Sequence, residues 1–176
     1  MSTITWAIDP AHSELEFKVR HLMITNVTGS FKSFTSEVET SSDEFDTAKI
    51  TFKGNVNSIS TGNEQRDGHL KSADFFDAEK YPEFVFESTG LKKKGSNDFE
   101  LGGNLTLHGI TKPVKLSVEA GGIAKDPYGQ VKAGFSVSGK INRKDFGLNW
   151  SAVTEAGGVV VSDDVKIHAE VQYVKQ

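Results

Sequence analysis

The side chains in this chain that could do chemistry are five histidines and a set of arginines and carboxylates spread over its length. His12, His21 and His69 are the candidates for a metal-dependent hydrolase, because neutral imidazoles bind zinc. No His-x-x-x-His pair or other compact ligand spacing occurs, so the spacing gives little support to a metal site. A Ser-His-Asp triad would want a Gly-x-Ser-x-Gly turn to present its nucleophile, and none is present. Cysteine is absent, which removes thiolate catalysis, thiolate metal ligation and disulfides. The expectation is a non-enzymatic protein with no catalytic residue, no metal and no cofactor.

The densest group of polar candidates lies in 61–76, the one stretch that does not read as β-strand. Thr61 followed by Glu64 reads as a capping box, which predicts a helix from Gly62. On that helix Arg66 and Leu70 share a face, as do Gln65 and His69. Arg66 and Asp67 point about 100° apart, so each is expected to find a partner elsewhere. Gly68 weakens the helix by about 1 kcal/mol relative to Ala. Phe75 and Phe76 follow, and two adjacent rings need a core or a cavity. The stretch reads as a charged helix plugging the side or end of a β structure.

Strands must position these groups. Ile4, Trp6 and Ile8 alternate with polar or small residues until Asp9-Pro10 breaks the run. Leu15, Phe17 and Val19 alternate with charges, and the same parity points His21 inward. Val27, Gly29 and Phe31 continue the pattern, but Phe34 and Val38 fall on the other parity, which predicts a bulge near Lys32-Ser33. An acidic loop is expected at 43–46. Further alternating runs begin at Ala48, Phe84, Phe99, Val114, Val131 and Val165, and an irregular stretch is expected over 142–164. Eight or nine amphipathic strands with short turns specify an all-β antiparallel meander, which a sandwich or a closed barrel would satisfy. Gly29, Gly54, Gly103 and Gly139 sit on the apolar parity, where they mark bends or leave room for a ligand.

Composition excludes several classes. With 176 residues the chain has the size of a single domain over 1–176. A net charge of −4 argues against a nucleic-acid partner, which calls for a basic face. No apolar run approaches the roughly 20 residues of a transmembrane helix. The opening Met-Ser-Thr-Ile-Thr-Trp lacks the pattern of a signal peptide, which leads to the expectation of a cytoplasmic protein.

Several motifs carry a family resemblance. Trp6-Ala-Ile-Asp-Pro-Ala-His-Ser13, Phe17-Lys-Val-Arg-His21 and Gly29-Ser-Phe31 resemble the opening of the YceI-like family. Thr61, Arg66-Asp67-Gly-His-Leu70 and Asp74-Phe-Phe76 resemble its central signature. Pro82 with Phe86-Glu-Ser88, then Gly103 to Thr111, and Arg143-Lys-Asp-Phe-Gly147, are similar to its later segments. The resemblance implies a lipocalin-like antiparallel barrel of about eight strands around an apolar tunnel. It also implies binding of a polyisoprenoid or similar long-chain amphiphile, such as an isoprenoid quinone, and a homodimer. Many members of that family are periplasmic, a location that the opening of this sequence does not suggest.

On that implied fold, Phe17, Val19, Phe31, Phe52, Phe84, Phe86, Leu105, Leu107, Phe135 and Val137 would line the tunnel, with His21, Phe75, Phe76 and Phe146 as further ligand contacts. The alternative for each ring is plain barrel core. His12, Arg66, Asp67, His69, Arg143 and Asp145 fall in the family-like motifs. They would either meet a head group at the tunnel mouth or anchor the helix through buried hydrogen bonds. The competing functions are an interaction module with a filled barrel and, behind it, the metal-dependent hydrolase.

Overall fold

A computed structural model describes residues 3–22, 24–42, 45, 47–149 and 161–176. Of the acidic loop expected at 43–46 only Phe45 is described, and of the irregular stretch at 142–164 positions 150–160 lie outside the described residues. The strands are β1 (Ile4–Ile8), β2 (Glu14–His21), β3 (Thr25–Phe31), β4 (Phe34–Thr40), β5 (Lys49–Asn55), β6 (Ile59–Ser60), β7 (Glu83–Lys93), β8 (Asp98–Leu107), β9 (Ile110–Lys125), β10 (Val131–Asn142) and β11 (Asp164–Lys175). Among the described residues one α-helix, α1 (Glu64–Lys71), interrupts them between β6 and β7.

All the pairings are antiparallel, and β11 returns to β1, so the sheet closes into an eight-stranded barrel. Eleven segments make eight barrel strands because each of the first three is broken once. β1 and β2 both run along β11, on either side of a 3-10 turn at Pro10–His12. Pro10 has no N–H for the ladder, and the Asp9 carboxylate holds the turn by accepting from the Ala11 N–H. β3 and β4 are divided at Lys32-Ser33, and β5 and β6 by a 3-10 turn at Val56–Ser58. Hydrogen bonding continues across both breaks: Lys32 N–H donates to Ser58 O at 3.2 Å and Asn55 N–H to Ser33 O at 2.9 Å.

Two local expectations need correction. The parity change after Phe31 is a corner between two strands and not a bulge within one, since β3 keeps regular register with β2, and β4 with β1 and β5. The helix starts at Glu64, and its cap is Asn63, whose side chain accepts from the Arg66 N–H at 3.0 Å. Gly62, with φ 81, turns the chain between Thr61 and this cap. Thr61 is therefore free of the capping position and is bonded elsewhere.

The core divides along the barrel axis. At one end Trp6 is wholly buried and packs with Val38, Ala48, Ala133, Ala169, Val171 and Tyr173. The second cluster is built around Phe31, Val56, Phe84, Phe86, Leu107 and Phe146, and extends to Leu70 and Phe76 at the helix end. The four apolar-parity glycines turn out to be occupied by their neighbours. A Cβ at Gly29 would collide with the Phe17 ring, at Gly54 with Phe84, at Gly103 with Phe86 and at Gly139 with Leu116. Phe17 and Phe84 stand directly across the ladder from Gly29 and Gly54. Each of these rings lies over the backbone of the next strand and along the barrel wall, which keeps it out of the middle of the barrel.

Candidate ligand-binding site

The barrel is not filled. A cavity of about 390 Å³ extends from Phe45, Val38 and Tyr173 near the Trp6 end to His21, Arg66 and Leu70 at the helix end. That volume lies within the range of about 300–1,000 Å³ of small-molecule sites. Alternation along the strands supplies its wall: Phe17 and Val19 from β2, Phe31 from β3, Phe52 from β5, Phe84 and Phe86 from β7. Leu105 and Leu107 of β8, and Phe135 and Val137 of β10, complete the apolar residues expected there from strand parity. Phe75 and Phe76, from the segment after α1, also reach the cavity. Phe76 meets the Phe31 ring edge-on at 6.1 Å, and Phe31 contacts Phe84 at 5.0 Å.

Phe146 is placed differently. It is 1% exposed in the packed core beside Leu148 and is absent from the cavity wall. Its carbonyl faces His108 Nδ1 at 3.1 Å, so the motif around it joins the β8–β9 turn to the end of β10. Wall residues not singled out from the sequence include Leu15, Phe45, Leu91, Phe99, Leu116, Ile141, Ile167 and Tyr173. Most sit on apolar strand parity, a signal that was available. Phe45 lies in the loop read as acidic, and no strand pattern pointed to it.

Polar groups reach the cavity mainly at the helix end. The Arg66 guanidinium donates from Nε to Thr61 Oγ1 and from Nη2 to Thr61 O, both at 2.8 Å. Asp67 accepts from the Thr61 N–H at 2.8 Å and the Thr61 hydroxyl at 2.6 Å. Adjacent helix residues that point apart thus converge on one threonine, which ties α1 to the end of β6. Arg66 lines the cavity, and Asp67 does not. His69 faces the cavity while its Nε2 lies 3.0 Å from the Asp74 carboxylate.

Arg143 is 3% exposed, on the short 3-10 turn Arg143–Phe146 that ends β10. It donates to Leu148 O at 2.6 Å, to Ser162 O at 2.9 Å and to Val161 O at 3.4 Å, and Asp163 lies 3.6 Å away. Burial lowers its pKa from the ordinary arginine value. These bonds join the chain after β10 to the start of β11, and the side chain also borders the cavity. His21 closes the inward parity of β2, lines the cavity and forms a bridge with Val161. At the far end the Tyr173 hydroxyl is 2.8 Å from Ser36 Oγ, and burial pushes its pKa up to about 12.

His12 and Asp145 are not part of this arrangement. His12 sits on the outer turn between β1 and β2, its side chain 58% exposed and 2.8 Å from Asp9. The Asp9 carboxyl is held below its ordinary pKa, first by His12 and then by Lys132. Asp145 is exposed. The three histidines of the hydrolase reading are dispersed, since His12 precedes the eight-residue strand β2, His21 ends it, and His69 is paired on α1. Among the described residues no group of three His, Cys, Asp or Glu side chains is placed to hold a metal ion. None of the described helices is long and apolar enough to cross a membrane.

Known proteins of the same build place the chain among relatives. A UPF0312 protein of Staphylococcus aureus strain N315 is 39% identical over 169 residues, 96% of each chain. The solved Campylobacter jejuni YCEI protein is 35% identical, with a TM-score of 0.76 over 89% of this chain and 90% of that one. Burkholderia cenocepacia BcnA superimposes with a TM-score of 0.81 at 22% identity, covering 94% of this chain and 98% of that one, which shows the shared fold. A polyisoprenoid binding domain from Saccharophagus degradans has the same fold at 17% identity, with a TM-score of 0.71 over 97% and 98%. The YceI-like domain model matches residues 6–173, from Trp6 in the first barrel strand to Tyr173 in the last, and this chain belongs to the YceI-like family.

Proposed function

We propose that this protein binds a polyisoprenoid or similar long-chain amphiphile inside the barrel, and carries or stores it without chemical change. The observation that carries the reading is the asymmetry of the cavity. Its length is apolar apart from Glu16 and Tyr173, and His21, Thr61, Arg66, His69 and Arg143 gather at one end. A long hydrocarbon chain needs only the apolar length, where each buried methylene contributes about 0.8 kcal/mol. A polar head such as a quinone needs donors at one end of that length, and Arg66 and His21 are among the side chains there. The polyisoprenoid binding domain from Saccharophagus degradans, with the same barrel, supports the ligand class. The open interior is the feature that separates this reading from a filled interaction module. We further propose that residues 1–176 act as one domain within a homodimer, which light scattering would test.

The deciding experiment is organic extraction of the purified native protein followed by mass spectrometry. A stoichiometric isoprenoid lipid or long-chain amphiphile in the extract is the expected result and names the cargo. An empty extract from protein isolated from its own source, together with no uptake of added isoprenoid quinone, would overturn the reading.

A further inference from the structure

The β2–β3 hairpin ends in apolar residues that the barrel does not use. Leu22 is 39% exposed and Ile24 is 72% exposed. Leu22 also has φ 54, a left-handed conformation that is unfavourable for a residue with a Cβ. The residue before it, His21, lines the cavity, so this tip stands at the rim of the barrel's helix end.

A second, independent feature lies on the outer wall beside it. Lys18 of β2 is directly opposite Lys166 of β11, which is directly opposite Lys140 of β10. Like charges in such cross-strand positions are destabilising, and here three stand in one row. Lys18 and Lys166 have no ion pair among the described residues, while Lys140 meets Asp164 at 3.5 Å. Lys115 of β9 borders the same shallow hollow and is 3.8 Å from Glu100. Glu16 is the carboxylate bordering that hollow, and His168, also there, is paired with Glu170 at 3.0 Å. A chain of net charge −4 has therefore concentrated four lysines around one acid.

We infer that this face docks on an anionic lipid bilayer, with Leu22 and Ile24 entering the headgroup layer and the lysine row meeting lipid phosphates. Exposed apolar side chains next to a basic surface are the combination that binds such an interface. Lys18 precedes Leu22 by four residues, about 13 Å of strand, so both reach one plane when the barrel leans on its β2 wall. A second copy of the chain would meet like charge at the same row. Among the described residues Ile123 and Tyr128 on the β9–β10 hairpin are also exposed, but beside them stands Lys125 and no row of facing lysines. There Lys132 is already paired with Asp9 at 3.2 Å and Asp126 at 3.6 Å. Docking at the rim would let an insoluble chain pass between bilayer and cavity without crossing water. It rests on surface features and not on the identity of the cargo.

The test is cosedimentation of lipid-free protein with vesicles of phosphatidylcholine alone or mixed with phosphatidylglycerol, at low and at physiological salt. The expected result is binding to the mixed vesicles that weakens with salt. Ile24→Asp should reduce it at least tenfold, and Lys18→Gln with Lys166→Gln by about twenty-fivefold, on the basis of about fivefold per lysine. These positions are exposed, and unchanged melting temperatures would show that the variants fold. No binding, equal binding to both vesicle types without salt dependence, or variants that bind like the parent would overturn the proposal. Binding to polyglutamate with none to vesicles would assign the row to an acidic protein partner and would also overturn it. Vesicle binding with an empty organic extract would remove the cargo reading and leave docking intact. A cargo found without vesicle binding would do the reverse.

Discussion

Trp6 and Arg66 stand at opposite ends of the barrel, and the two ends handle their polar atoms in different ways. At the Trp6 end the buried polar side chains among the described residues are bonded to their neighbours. The indole Nε1 donates to Thr40 Oγ1 at 3.2 Å, and Tyr173 and Ser36 share a hydrogen bond. Phe45 covers Trp6 at 5.0 Å and Phe135 at 4.9 Å. At the Arg66 end the polar side chains also have partners, but Arg66, His69 and Arg143 still face the cavity. One end is a plug that stabilises, and the other is a rim where a head group can meet donors. The difference lies in the polar groups, since the apolar residues of the Trp6 cluster, Val38, Ala48, Ala169, Val171 and Tyr173, also line the cavity.

The comparison is broken most strongly at Trp6. Trp6→Ala should cost about 3–5 kcal/mol, read as a lower denaturant midpoint, with ligand binding retained by whatever fraction stays folded. Loss of binding at full stability would mean that the closed end belongs to the site. Phe135→Asp or Phe52→Asp places a charge on the cavity wall and should abolish ligand retention, with some loss of stability. A folded variant that retains ligand as before would remove that residue from the site. Gly54→Val would drive the Phe84 ring off the wall and into the cavity. The expected cost is about 1–3 kcal/mol, together with weaker binding measured by displacement of a fluorescent lipid.

Alkaline pH sharpens the contrast from the closed end. Tyr173 keeps its proton up to about 12 when folded, whereas its ordinary pKa is 10.0. The unfolded chain therefore releases that proton first, so the stabilising contribution is intact below pH 10 and is lost as pH rises from 10 toward 12. Tyr173→Phe should flatten that limb of the stability profile, and an unchanged limb would assign it to another group. The smallest effect is expected at the rim. His21→Leu should weaken binding of an isoprenoid quinone by less than about tenfold and leave a plain hydrocarbon unaffected, because one neutral hydrogen bond is worth about 0.5–1.5 kcal/mol. Equal affinity of parent and variant for both ligands would take His21 out of head-group recognition.

Strand alternation alone determined the antiparallel meander, the inward parity from Leu15 to His21 and most of the apolar wall, because side chains on a strand change face at every residue. The motifs from Trp6 to Gly147 carry the family resemblance in the sequence itself. Three matters were decided only by the tertiary structure. Alternation cannot tell a sandwich from a barrel, and the pairing of β1 with β11 closed the sheet. A glycine on the apolar parity carries no mark of what will cover it, and neighbouring side chains, Phe17, Phe84, Phe86 and Leu116, settled that each is covered. The convergence of Arg66 and Asp67 on Thr61 required the left-handed turn at Gly62 and the cap at Asn63, which a capping-box pattern at Thr61 concealed. Local periodicity reports which face a residue takes, and long-range closure decides what that face encloses.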